Sequence, residues 1–186
     1  GHAHHVVFLY HYRCVLPDRL VRHTQPEETR VRRWQRDGVT SMIVLINPNS
    51  TAAMTEAAAE TARTVVPGRL VEGWTSTEGP AAIQGEEDGA AAVPPMLRLI
   101  PQAEAAGAKA ILIACADDTG LPESRAVAQG PVLGIGQAAY ASAHLLGHPW
   151  AVVTTLAVSV PILEANVQAG GYGAHCLRVA ASGIAV

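Results

Sequence analysis

Residues Ala110 to Gly120, AILIACADDTG, join an apolar run to a polar loop through a cysteine. An apolar run of this length bounded by turn residues predicts a strand buried on both faces. Cys115 stands where that strand stops, at the start of the loop. In open parallel α/β sheets, ligands bind outside the carboxyl ends of the strands, so a thiol placed there is available for chemistry. The competing reading is a small buried residue that happens to be cysteine, because free cysteines pack well in cores.

Working outward, apolar strands alternate with helix-compatible segments. Strands are expected at Met42–Ile46, Arg69–Trp74, from Ala110, at Pro131–Ile135, Ala151–Thr155 and His175–Val179. Helices are expected at Thr51–Val66, stopped by Pro67-Gly68, at Pro95–Ala106, at Gly136–Gly147 and at Val160–Ala169, with a short segment at Pro122–Gln129 and a loop over Thr75–Gly89. Ser50 or Thr51 supplies the first N-cap. This alternation predicts an α/β fold with a parallel sheet, flanking helices and right-handed crossovers.

The 186 residues, 49% hydrophobic and 16% charged, suit a globular chain with a real core. No apolar run reaches the roughly 18 residues of a membrane span. A net charge of −3 gives no sign of a nucleic-acid partner. Cys14, Cys115 and Cys176 have neither metal-ligand spacing nor disulfide density, which makes a reduced, cytoplasmic setting the expectation. The average hides an uneven start. Residues 1–41 hold seven arginines, five histidines and four acidic residues, while the other 145 hold six basic and twelve acidic residues. That opening lacks sustained periodicity and is expected to be an unstructured or poorly ordered basic leader. Its GHAHH histidines lack Cys or carboxylate partners, so no metal site is expected.

Polar loops follow the strands: Asn47-Pro-Asn-Ser-Thr51, Cys115-Ala-Asp-Asp-Thr-Gly120, Gly134-Ile-Gly136 and Thr154-Thr155. Strand carboxyl ends in a parallel sheet face one rim, so these groups should converge on one crevice. Asn47, Asn49, Ser50 and Thr51 at a helix start suit a carboxylate or other oxyanion, or serve as ordinary capping. Asp117 and Asp118 are each candidates for orienting a substrate N–H or for capping the following turn. Gly134-Ile-Gly-Gln-Ala-Ala fits a loose dinucleotide pattern but lacks the acidic residue expected about twenty positions on. His144 and His148 flank a helix end and read as capping or surface residues.

MIVLINPNST from Met42, EGPAAIQG from Glu78, AILIACADDTGL from Ala110, PVLGIGQAA from Pro131 and GHPWAVVTTLAVSVPILE from Gly147 resemble, in order, the motifs of the aspartate/glutamate/hydantoin racemase superfamily, nearest its hydantoin racemase branch. The resemblance covers nearly all of residues 42–186. It implies a cofactor-independent racemase or epimerase acting on a small molecule, a hydantoin, amino acid or related carboxylate. It also implies a flavodoxin-like α/β half over 42–147 and part of a second, similar half over 148–186. Cys115 takes the place of the first half's catalytic cysteine. Asn47, Ser50 and Thr51 match the substrate-holding loop, and Thr154 and Thr155 match the start of the second half. Val158 and Gln137 stand where many relatives carry Arg and Glu. A homo-oligomer is compatible with all of this.

Racemisation takes a proton from one face of a carbon and returns one to the other, which demands an acid and a base on opposite sides. Thiols suit the task when N–H groups and helix N-termini draw a reference pKa of about 8.5 toward neutrality. Donors aimed at the adjacent carbonyl stabilise the enolate. The resemblance places a second cysteine beyond Val186, and neither Cys176 nor Cys14 replaces it. The expectation is therefore a C-terminally truncated chain with activity absent or much reduced. The alternative is a non-catalytic module that binds a small carboxylate or hydantoin.

Overall fold

A computed structural model describes residues 41–184; the leader expected over 1–41, with its histidines, lies almost entirely outside the described residues. In chain order the elements are β1 (Met42–Asn47), α1 (Ala52–Val65), β2 (Leu70–Thr75), α2 (Glu86–Ala105), β3 (Ala108–Ile113), α3 (Leu121–Val127), β4 (Val132–Gly134) and α4 (Ile135–Leu145). Then come β5 (Trp150–Thr154), a 3-10 turn (Ala157–Ser159), α5 (Val160–Ala169) and β6 (Cys176–Ala181).

The first four strands form one parallel sheet in the order β2-β1-β3-β4. After β2 the chain crosses back over β1 to lay down β3, so the direction of growth reverses between β1 and β3. That is the topological switch point of a doubly wound sheet, where the loops of neighbouring strands part and leave a crevice. β5 and β6 pair in parallel as a separate two-stranded sheet, so the six strands expected from the alternation do not share one sheet.

The main core lies on one face of the larger sheet. Val44, Ile46, Ile111, Ile113 and Val132 pack there against Met96, Ile100 and Ala103 of α2 and Leu121 of α3. In β3 the burial alternates: Ile111 and Ile113 are buried whereas Ala110 and Leu112 are half-buried, so the two faces are covered unequally. On β2, Gly73 lets α1 approach closely, since a Cβ there would stand 3.0 Å from both Ala59 Cβ and Thr55 Cγ2. A second cluster joins Tyr140 of α4, Leu163 and Val167 of α5 and Val179 of β6.

Helix α2 begins nine residues before the expected Pro95, despite Pro94, Pro95 and Pro101. Proline removes a hydrogen bond and crowds the preceding turn. The apolar stripe Ala92, Met96, Ile100 and Ala103 outweighs that cost by being buried at helical spacing. Glu86, Glu87 and Asp88 occupy the first turn, where negative charge suits the helix dipole, and Asp88 accepts a 2.9 Å hydrogen bond from the Gln84 N–H. At β4 the strand is shorter than expected, because Ile135 already belongs to α4.

Candidate active site

The carboxyl ends of β2, β1 and β3 lie side by side. Ser76 N–H donates to the Asn47 carbonyl at 2.9 Å, and Ala114 N–H donates to the Ile46 carbonyl at 2.8 Å. Asn47 and Cys115 therefore follow adjacent strands at the switch point.

Asn47 is buried and organises its own loop. Its Nδ2 donates to Asn49 Oδ1 at 2.8 Å, to Thr55 Oγ1 at 3.0 Å and to the Thr51 carbonyl at 3.3 Å, while its Oδ1 accepts from Asn49 N–H at 3.1 Å. Asn49 Oδ1 in turn accepts from Thr51 N–H at 2.9 Å. The 76–81 turn lies over this loop: Ser50 N–H donates to the Pro80 carbonyl at 2.8 Å and Thr51 Oγ1 to the Ala81 carbonyl at 2.7 Å. Much of the polar capacity of Asn47, Asn49 and Thr51 is thus spent on shaping the loop itself.

Cys115 is half-buried, two residues past the end of β3, packed against the main core. Its Sγ lies 3.3 Å from Thr119 Oγ1. Burial pushes the thiol's pKa up; hydrogen bonds from the Thr119 side chain and from the backbone of Asp117 and Thr119 pull it down, and the Asp117 charge pushes it up again. The net direction is upward. The expectation of a thiol drawn toward neutrality is corrected on this point, because loss of water outweighs the N–H groups that face the sulfur.

The two aspartates diverge. Asp118, buried and with a left-handed backbone (φ 52°), sends its carboxylate to the start of α4. It accepts from Gly136 N–H at 3.0 Å and Gln137 N–H at 2.6 Å. A Cβ on Gly134 or Gly136 would overlap that carboxylate, and one on Gly136 would also overlap the Ala116 carbonyl. The Gly-x-Gly spacing therefore admits an internal carboxylate cap. Asp117 reaches the other way: its Oδ2 accepts from Ser159 Oγ at 3.0 Å and its carbonyl from Asn166 Nδ2 at 2.8 Å. Burial raises the pKa of both carboxyls, opposed by these side-chain and backbone donors.

A family model for Asp/Glu/Hydantoin racemase matches residues 43–186. The chain belongs to the Asp/Glu/hydantoin racemase family. It is 48% identical over 140 residues to a hydantoin racemase from Rhizobium meliloti, covering 75% of this chain and 58% of that protein. With a hydantoin racemase from a Pseudomonas species it shares 31% identity over 138 residues, or 74% of this chain and 55% of the relative. Among solved structures, allantoin racemase from Klebsiella pneumoniae superposes with a TM-score of 0.76 at 33% identity, covering 79% of this chain and 60% of that one. Allantoin racemase from Pseudomonas fluorescens gives 0.71 at 32%, covering 77% and 61%. The chain spans a little over half the length of the curated relatives it matches.

In this family member the β5 end is tied back by its own backbone. The Thr154 and Thr155 carbonyls accept from Ser182 N–H at 2.8 Å and Gly183 N–H at 2.9 Å. Val158, next in that turn, stands 3.6 Å from where a Gly85 Cβ would be, so the turn after β5 meets the loop before α2. The His144 ring lies tilted against those of His175 and Tyr172, at 5.3 and 5.7 Å between centroids, while His148 is exposed. Cys176 packs beside the second core cluster, its thiol 3.8 Å from the Arg178 carbonyl.

Sequence reasoning missed Thr119, Ser159 and Asn166. Thr119 had a usable signal, standing four residues after Cys115 in the loop. Ser159 and Asn166 had none, since their contacts with Asp117 span 42 and 49 residues. Among the described residues no helix is long and apolar enough to cross a membrane.

Proposed function

We propose that this chain takes part in cofactor-independent racemisation of a hydantoin-type ring, with Cys115 as one acid/base. The observation that carries the reading is the position of Cys115 beside the Asn47 loop at the β1/β3 switch point, in a chain of this family. A base removes the proton from the carbon alpha to the ring carbonyl. The C–H electron pair passes into an enolate, and an acid on the opposite face returns a proton to carbon. Because burial keeps Cys115 protonated at neutral pH, it fits the acid in the resting state. Cys176 packs against the second cluster and is not assigned as the opposite-face partner in this reading. Asn47, Asn49, Ser50 and Thr51 shape the wall below the substrate, and Thr154 and Thr155 anchor the turn across from it.

A neutral ring suits the rim better than a free carboxylate. Loops 47–51, 76–85, 114–120, 134–137 and 155–159 contain no Lys, Arg or His and contain Glu78, Asp117 and Asp118. Among the described residues these loops offer an amino-acid carboxylate no cation of their own, and Arg98 and Arg125, which reach them from α2 and α3, are already bonded to Glu78 and Gln137.

Deuterium exchange at the ring stereocentre in heavy water, followed by NMR, tests the reading. Slow exchange through the minor thiolate form of Cys115 is expected with the native chain, and at least about tenfold less in Cys115→Ala of unchanged circular dichroism. Equal exchange in both proteins would overturn it. The upward-shifted thiol also favours a second reading, a non-catalytic binder of the same ring. Titration calorimetry that finds the same affinity before and after Cys115 alkylation, together with no exchange, would select that one.

A further inference from the structure

Asp117 is held by one neighbouring segment through two bonds, Ser159 Oγ to its carboxylate at 3.0 Å and Asn166 Nδ2 to its carbonyl at 2.8 Å. Ser159 closes the 3-10 turn after β5, and Asn166 lies on α5 two turns further on. The Cys115 loop therefore reaches the β5–α5 segment through Asp117. Its carboxylate is half-buried and its only hydrogen-bond donor among the described residues is the neutral Ser159 hydroxyl. An unneutralised charge in partly dry surroundings acts on its neighbours at longer range than one in water. Those neighbours are Cys115, Asp118 and Tyr140; the Asp117 charge pushes the pKa of each upward, while Arg125 offsets the effect at Asp118.

We propose that Asp117 is a positioning residue that ties the Cys115 loop to α5 and holds a half-buried carboxylate two residues from the thiol. Its backbone faces the sulfur as a donor while its side chain opposes thiolate formation, so one residue supplies both the tether and the field. Displacement of α5 would carry Asp117 with it and change the acidity of Cys115. The catalytic meaning rests on Cys115 being the acid/base proposed above; the tether and the field do not.

The test is the rate of iodoacetamide alkylation of Cys115 against pH in the full 186-residue chain, read by mass spectrometry with Cys176 as internal reference. Asp117→Asn keeps an acceptor for Ser159 and removes the charge. Its midpoint is expected to fall, with alkylation at neutral pH about threefold to tenfold faster. The Ser159→Ala/Asn166→Ala double variant keeps the charge and cuts the tether. It is expected to speed alkylation of Cys115 at every pH, with Cys176 unchanged. A profile of Asp117→Asn that superposes on the native one would overturn the field, and an unchanged rate in the double variant would overturn the tether. Parallel acceleration of Cys176 would mean general loosening and would also overturn the proposal. If Asp117→Asn does not fold, the double variant still decides the tether, and Asp117→Ser, short, polar and uncharged, decides the field by the same midpoint. Since alkylation needs no turnover, the outcome is independent of the deuterium-exchange result.

Discussion

Asp118 Oδ2 accepts a 2.6 Å hydrogen bond from the backbone N–H of Gln137, so the loop after β3 caps the helix after β4. The cap satisfies two of the orphan N–H groups at the start of α4, since Gly136 donates to the same carboxylate. Removing it in Asp118→Ala leaves the buried Gly136 N–H and the half-buried Gln137 N–H without this partner and keeps a side chain at a positive φ. The expected loss is about 1–3 kcal/mol, a fall in Tm of roughly 2–10 °C by differential scanning calorimetry. Asp118→Asn, which still accepts one bond, should lose less.

Asn47→Ala should be among the most damaging single substitutions. It deletes donors to Asn49 and Thr55 and an acceptor for Asn49 N–H, all buried. The expected cost is about 2–4 kcal/mol, measured as a lower urea midpoint at unchanged slope. Asn47→Asp is not a rescue, because a carboxylate would replace the donating Nδ2 where Asn49 Oδ1 and the Thr51 carbonyl already present lone pairs.

Thr119→Val removes the side-chain hydrogen bond that lowers the Cys115 pKa. The alkylation midpoint of Cys115 should therefore rise, opposite to the effect of removing the Asp117 charge. At neutral pH the rate should drop about threefold or more. A midpoint that stays put would show that the 3.3 Å contact does not hold the thiolate.

Tyr140 links site and stability through pH. Burial, followed by the charges of Asp118 and Asp117, raises its pKa to about 12. Among the described residues its buried hydroxyl has no hydrogen-bond partner, and its ring stacks on Trp150 at 5.9 Å between centroids. A folded pKa above the unfolded value of about 10 gives stability that is whole below that pH and is lost as pH rises toward 12. Chemical denaturation across this range should show roughly 2–3 kcal/mol of alkaline loss from this residue. Tyr140→Phe should abolish that part and stay within about 1 kcal/mol of native at neutral pH, because no hydrogen bond is sacrificed.

The order of strands and helices was legible because local burial leaves local marks. Val160–Ala169 matches its helix residue for residue, and Met42 opens β1 as expected. The start of α2 was not legible, since Pro94 and Pro95 argue locally against a helix whose buried stripe only the sheet reveals. The alternation alone did not show that β5 and β6 stand apart from the larger sheet, because which edge a strand joins depends on contacts far along the chain; only the family resemblance set 148–186 off as part of a second half.

By itself the sequence determined the α/β alternation, the family, and a thiol at the carboxyl end of a strand, all of which rest on residue order and spacing. Only the tertiary structure decided how the two aspartates after that thiol are used, Asp118 as a cap on α4 and Asp117 as a link to α5. It also decided that the Cys115 pKa moves up. The physical reason is that a hydrogen-bond partner and an ionisation state depend on distance and on water excluded by non-local packing. Neighbouring letters in a loop record neither.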